Sequence, residues 1–132
     1  MVQAKSELYD FIIENHKKVF VNPNDTTQVE KTKNANTIYF EDSIKFIEAS
    51  PFVKLTFKEH TISSNLIGVY NFPNISAAIT TGNYFKVSDK QIKEAIEAYV
   101  PSNNRSQIIK TESNQIILDA YNANPTSMKA AI

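Results

Sequence analysis

Apolar and polar positions recur along this chain with two different periods, and each change of period marks a boundary between elements. Over residues 4–17, Leu8, Phe11, Ile12 and His16 fall at helical spacing while Lys5, Glu7, Asp10 and Glu14 take other faces, predicting an amphipathic helix. Val19, Phe20 and Val21 form a short apolar run, stopped by Asn22-Pro23-Asn24-Asp25, and predict a buried strand. A polar helix follows over residues 26–33 and a second strand over 37–40. Residues 43–49 predict a further helical turn, ended before Pro51 because the residue before a proline disfavours the helical region. Helix, strand, helix, strand is the rhythm of a parallel α/β sheet.

From Phe52 the period drops to two. Residues 52–60 and 61–66 alternate apolar and polar, as half-buried antiparallel strands do. Helical spacing returns over 71–84 and again over 89–99, where Ser88 stands ready as an N-cap. Residues 101–104 (Pro-Ser-Asn-Asn) read as a linker, and residues 108–110 and 116–118 flank a polar turn as a hairpin. The stretch 116–129 then passes from three aliphatic residues through a polar elbow to a helix start, with Asn124 as N-cap and Pro125 in the first turn. The expected fold is α/β: a parallel sheet with helices plus small antiparallel strands, then a hairpin and the start of a helix over 126–132. The chain opens on a helix and finishes inside one, so a piece of a longer enzyme is expected.

Composition removes several function classes. Lys plus Arg and Asp plus Glu each number 14 among 132 residues, so zero net charge gives no electrostatic case for nucleic acid or an anionic membrane. Cysteine is absent, which excludes disulfides and thiolate metal sites. No apolar run approaches the roughly 20 residues that span a bilayer, and a cytoplasmic location is expected. Only Gly68 and Gly82 occur, too few for a loop whose backbone must approach a phosphate, so this stretch carries neither a P-loop nor a dinucleotide fingerprint. His16 and His60 are far apart and without metal-like spacing; structural or solvated roles are expected for both.

Candidate chemistry gathers at two places. Asn71 and Asn74 stand at the start of the helix over 71–84, where spacing alone suits a cap and a solvated first-turn residue. The elbow 119–125 lies beyond the carboxyl end of a strand, where α/β folds bind ligands, although spacing alone suits an ordinary capped turn.

Asp119-Ala120-Tyr121-Asn122-Ala123-Asn124-Pro125, with Ser127-Met128 after it, resembles the signature at the junction of the central and C-terminal domains of the Mur ligases. Gly68-Val69-Tyr70-Asn71-Phe72-Pro73-Asn74-Ile75-Ser76-Ala77-Ala78 resembles a second pattern of the same family, with Tyr70 standing where the family has histidine. The resemblance implies that residues 1–100 are the C-terminal half of an ATP-binding central domain, and 101–132 a linker and the start of a C-terminal domain. It implies ATP and Mg2+ as cofactors. Asn74 would meet the adenine, Asn71 would brace the turn, and Ala77 and Ala78 would let the helix lie close to the sheet. Arg105 would reach the phosphates as a forked cation, although Asn104 replaces the family's usual preceding glycine. Asp119 would accept from a ribose hydroxyl, with Tyr121 close to the nucleotide. Lys5 matches the lysine that several of these ligases carbamylate into an oxygen ligand for magnesium; a plain surface lysine is the alternative. The turn 22–25 resembles an asparagine-and-aspartate turn of the family, with a structural role.

The Tyr-Asn-Ala-Asn core resembles the family member that joins UDP-N-acetylmuramoyl-tripeptide to D-alanyl-D-alanine through an acyl phosphate. The stretch alone is expected to be inactive, because the phosphate loop is not in it. The alternatives are a sibling such as a folylpolyglutamate synthase, or a non-catalytic binding module. The apolar residues of the hairpin (Ile108, Ile116, Ile117 and Leu118) are expected either to pack on the upstream part or to pair with a second copy of the chain.

Overall fold

The computed structural model describes residues 2–102, 107–118 and 128, the side chains of 2–5, 107 and 110 excepted. Helix α1 (Val2–Glu14) leads into strand β1 (Lys18–Val21), and helix α2 (Thr26–Lys31) returns the chain to β2 (Asn36–Tyr39). The two strands pair in parallel, with Lys18 opposite Asn36 and Val21 opposite Tyr39. A parallel pair cannot be closed by a tight turn, and α2 supplies the crossover. Asp25 caps that helix by accepting from the Gln28 amide, and the buried Thr32 closes its far end by donating its hydroxyl to the Gln28 carbonyl at 2.7 Å.

Residues 43–49 are not helical. They form β3 (Ile44–Ala49), the first strand of an antiparallel sheet ordered β3-β4-β5, with β4 at Phe52–Phe57 and β5 at His60–Ile67. The register slips between Phe46 and Glu48, and this bulge hides the alternation expected of a strand. Ile44 and Ile47 then sit three apart and imitate helical spacing.

Strand β4 shows the period cleanly, with Val53, Leu55 and Phe57 wholly buried and the residues between them half-exposed. Its inner face meets Ile62 from β5, Ile75 and Ile79 from α3 (Phe72–Tyr84), and Ile92 from α4 (Asp89–Ala98). Helix α4 starts at a capping box in which Ser88 and Gln91 satisfy one another's backbone. Its side chains then cover the outer edge of β5: Glu97 accepts from the Ser63 amide at 2.9 Å, and Lys93 donates to the Thr61 carbonyl at 2.6 Å. An edge occupied in this way offers few free groups to another strand.

Past Tyr99 the chain loses regular structure; Pro101 is buried and Ser102 exposed. Strands β6 (Gln107–Lys110) and β7 (Gln115–Leu118) pair antiparallel as expected, Ile108 opposite Ile117. Ile117 is 63% exposed. The helix expected over 126–132 lies outside the described residues except for Met128.

Candidate functional site

The turn between β5 and α3 is built around Gly68. Its φ of +84° lies in the region that side chains avoid, and a Cβ there would stand 2.6 Å from the Tyr70 ring. The Gly68 amide donates to the Pro51 carbonyl at 2.9 Å, and its own carbonyl accepts from the Asn71 amide at 3.0 Å. A single 3-10 turn over Val69–Asn71 then enters α3, with Pro73 in the first turn where a missing N–H is harmless.

Asn71 and Asn74 meet at this turn. The Asn71 side-chain amide donates to the Ile67 carbonyl at 2.8 Å, and its oxygen accepts from Nδ2 of Asn74 at 3.0 Å. Asn71 is half-buried and Asn74 exposed. Asn71 therefore braces the turn, and it does so without capping α3 through its side chain. The residues that seat α3 against the sheet are Ile75, Ser76, Ile79 and Thr80. Ala78 is exposed and Ala77 half-buried, one position round the helix from the expected contact.

A crevice of about 400 Å³ opens beyond the carboxyl ends of β1 and β2. Asn22, Pro23 and Asn24 line one side, Phe40, Glu41 and Asp42 another, and Phe72, Pro73 and Ser76 of α3 close it. The turn 22–25 holds its shape through side-chain bonds: Asn22 Oδ1 accepts from the Asn24 amide at 3.0 Å, and Gln28 Oε1 accepts from the Asn22 amide at 3.0 Å. Asn74 is not among the lining residues; it faces the Gly68 turn.

One polar cluster escaped the sequence. Lys58 Nζ lies 2.7 Å from the Asp89 carboxylate and donates to Asn83 Oδ1 at 3.2 Å, while Asn83 Nδ2 donates to Glu41. Four separate segments contribute one residue each, so no spacing could have announced it. Glu97 has its pKa lowered, first by the hydrogen bond from Lys93 and then by the Ser63 amide.

Among the other expected site residues, Lys5 lies on α1 with its side chain outside the described set, and Arg105, Asp119 and Tyr121 lie outside the described residues. His16 is exposed and His60 half-buried. Among the described residues no three or more of His, Cys, Asp and Glu gather as a metal site would require, and no helix is long and apolar enough to cross a membrane. An outward amide at Asn74 suits the edge of a purine base. The groups that would hold phosphates and magnesium are not among the described side chains.

No family model matches the chain. Over 75 residues it is 41% identical to the UDP-N-acetylmuramoyl-tripeptide–D-alanyl-D-alanine ligase of Bacillus subtilis (strain 168), a match covering 56% of this chain and 16% of that protein. It superposes on a crystal structure of MurF from Acinetobacter baumannii with a TM-score of 0.77 and 27% identity, over 98% of this chain and 31% of that one. The MurF ligase of Thermotoga maritima, solved in complex with ADP, shares the fold with a TM-score of 0.66 at 15% identity. The likeness to the Mur ligases, and among them to MurF, is thus shown in both sequence and fold. The chain spans less than a third of the length of these relatives.

Proposed function

We propose that this chain is a segment of the Mur ligase that adds D-alanyl-D-alanine to UDP-N-acetylmuramoyl-tripeptide in peptidoglycan precursor synthesis. The 41% identity to the Bacillus subtilis ligase is the observation that carries this reading. In the proposal, residues 1–100 are the second half of the ATP-binding central domain, and 101–132 are the linker and first strands of the C-terminal domain. The whole enzyme would work in the cytoplasm with ATP and Mg2+. ATP would phosphorylate the tripeptide carboxylate, releasing ADP. The dipeptide amine would then attack the acyl phosphate and expel inorganic phosphate as the peptide bond forms.

In this reading Asn74 takes the adenine, Asn71 holds Asn74, and Asp119 takes the ribose with Tyr121 beside it. Arg105 steadies the transferring phosphoryl group through its fixed charge and fork of donors. Lys5, if carbamylated, offers oxygen to magnesium. A crevice opens beyond the carboxyl ends of β1 and β2, where open α/β sheets bind ligands, but Asn71 and Asn74 do not line it. The 132 residues alone are inactive in this proposal, because they contain no glycine-rich phosphate loop. The hairpin's exposed Ile116 and Ile117 favour self-association at high concentration, which light scattering across a dilution series reads directly.

The test is a chimera. This chain replaces the matching segment of the Bacillus subtilis ligase, and tripeptide-dependent phosphate release is measured with D-alanyl-D-alanine. Retained ligation, lost on Asn74→Ala, is expected. A folded chimera that binds the tripeptide substrate yet releases no phosphate overturns the assignment.

A further inference from the structure

The far end of α3 meets the amino end of β1 through a small group of rings. Lys18, the first residue of β1, donates from Nζ to the Tyr84 hydroxyl at 2.7 Å and lies 4.9 Å from the centre of that ring. Tyr84 meets Phe20 of β1 edge-on, with centroids 5.5 Å apart, and meets Phe85 in the same way at 5.0 Å. Phe20 is half-buried and anchors the group. Phe85 is 68% exposed, more than any other large hydrophobic side chain among the described residues, and Tyr84 and Val87 are exposed with it. Apolar side chains gathered in water in this way mark a contact surface.

The cations beside these rings are uncommitted. Lys33, Lys54, Lys58, Lys90 and Lys93 each pair with a carboxylate, whereas Lys17, Lys18 and Lys86 are exposed and have no such partner among the described residues. Of the carboxylates nearest in sequence, Asp89 is held by Lys58 at 2.7 Å, which leaves Glu14 at the end of α1. The zero net charge of the chain averages this local excess away. His16 and Lys86, which border the two segments, hold φ of 50° and 62° where glycine would be unstrained. Side chains kept at strained surface positions point to a use for them. Phe85 projects, while an extended peptide needs a groove for its side chains. A bilayer interface takes projecting aromatic rings at the headgroup level and draws lysines to its phosphates.

We propose that the adjoining ends of α3 and β1 form a contact for an anionic bilayer, in which Phe85, Tyr84 and Val87 enter the headgroup layer and Lys17, Lys18 and Lys86 meet the lipid phosphates. The crevice lies beyond Val21, at the other end of β1, and stays clear of the contact. The contact does not rest on the assignment to a ligase.

Co-sedimentation of the full 132-residue chain with vesicles is the test, one set of equal parts phosphatidylglycerol and phosphatidylcholine and the other of phosphatidylcholine alone. Binding to the anionic set is expected to be about tenfold or more tighter, and to vanish at about 1 M salt, where charges are screened within about 3 Å. Lys86→Gly should weaken it about fivefold while relieving backbone strain, so that a folding defect cannot account for the loss. Lys18→Gln should act alike, and Phe85→Ser should cost about tenfold. The chain has no tryptophan, so Phe85→Trp adds a single fluorophore whose emission should shift to the blue with anionic vesicles only. Equal binding to both sets, binding to neither, or an unshifted emission from sedimented Phe85→Trp overturns the proposal. Binding that survives Phe85→Ser and is lost in Ile117→Ser moves the contact to the hairpin and overturns it too. Binding to polyglutamate without binding to vesicles assigns the surface to an acidic protein segment and refutes the bilayer.

Discussion

Replacing Lys86 with glycine should stabilise this protein, and the expected gain can be worked from three positions that share one backbone strain. His16, Lys58 and Lys86 have φ of 50°, 52° and 62°, in the left-handed region where a Cβ crowds the following carbonyl. Two of them end helices in the same way. After α3, the Lys86 amide donates to the Asn83 carbonyl at 2.9 Å and the Val87 amide to the Gly82 carbonyl at 3.0 Å. After α1, the His16 amide donates to the Ile13 carbonyl at 3.1 Å and the Lys17 amide to the Ile12 carbonyl at 2.9 Å. Both are the helix ending that favours glycine at the left-handed position. A side chain there costs about 1–2 kcal/mol. Glycine recovers that strain but gives back about 0.4–1 kcal/mol through the greater freedom of its unfolded chain.

The net expectation for Lys86→Gly and His16→Gly is about 0.5–1 kcal/mol each, or about 2–4 °C in Tm for a chain of this size. Lys58 is the control. It occupies the first position of the two-residue turn between the paired Phe57 and His60, which also suits glycine. Its ammonium, however, reaches Asp89 at 2.7 Å and Asn83 at 3.2 Å. An exposed pair of this kind contributes about 0.2–1 kcal/mol, so Lys58→Gly should come out near neutral. Urea unfolding of the three single variants gives the ordering. If Lys58→Gly gains as much as Lys86→Gly, the cluster around Asp89 contributes nothing. If Lys86→Gly loses stability, the strain argument itself is refuted.

Three further outcomes follow from single features. Thr80 is 2% exposed and its hydroxyl has no hydrogen-bond partner among the described residues, so Thr80→Val should stabilise by about 1 kcal/mol in the same unfolding assay, and a loss would mean the hydroxyl is satisfied. Gly68→Ala should cost about 1–3 kcal/mol, and pairing it with Tyr70→Ala should restore only part of that, because the ring clash is removed while the φ of +84° remains. Glu97 has its pKa lowered in the folded state, so its carboxylate contributes stability that is present above the ordinary glutamate pKa and lost as pH falls through the folded value. Glu97→Gln should therefore be less stable than the parent at pH 7, and the deficit should shrink as pH falls below the ordinary glutamate range; a deficit that does not change with pH would place the effect elsewhere.

What the sequence disclosed and what it withheld divide along physical lines. Strand β4 was legible because Val53, Leu55 and Phe57 keep strict alternation over a face that is buried on one side only. Helix α4 was legible because Ser88 caps it within the same short segment. Strand β3 was not, since its bulge between Phe46 and Glu48 erases the period, and the tertiary pairing with β4 is what makes it a strand. The seating of α3 was misplaced by one residue: small size suggested Ala77 and Ala78, whereas Ser76 donates its hydroxyl to the Phe72 carbonyl at 2.8 Å and so enters the core satisfied. At the site, Asn71 and Asn74 were visible as types and positions, but not the direction of the bonds between them. That direction comes from Ile67, whose carbonyl has no signature in its side chain.

The same turn shows how a small chain makes one exposed side chain rigid. Asn74 sits on the first turn of α3, where the following residues Ile75 and Ser76 are buried and hold the helix to the sheet. Ahead of it, Gly68 is tied to Pro51 beside β4, and Asn71 to the end of β5. Three separate anchors therefore converge on a residue that itself faces solvent, and its side-chain amide donates to Asn71 Oδ1 at 3.0 Å. Recognition by an exposed amide would otherwise spend much of its binding free energy on ordering the side chain. Residues proposed for the phosphate end, Lys5 and Arg105, belong to other segments of the chain. In the proposed enzyme, base recognition would thus be prepared in advance by the packed core around β4 and α3, while phosphate chemistry waits on groups brought from elsewhere. A ligase organised in this way would hold nucleotide before its catalytic groups assemble, so that Asn74 changes would raise KM for ATP and Arg105 changes would lower kcat.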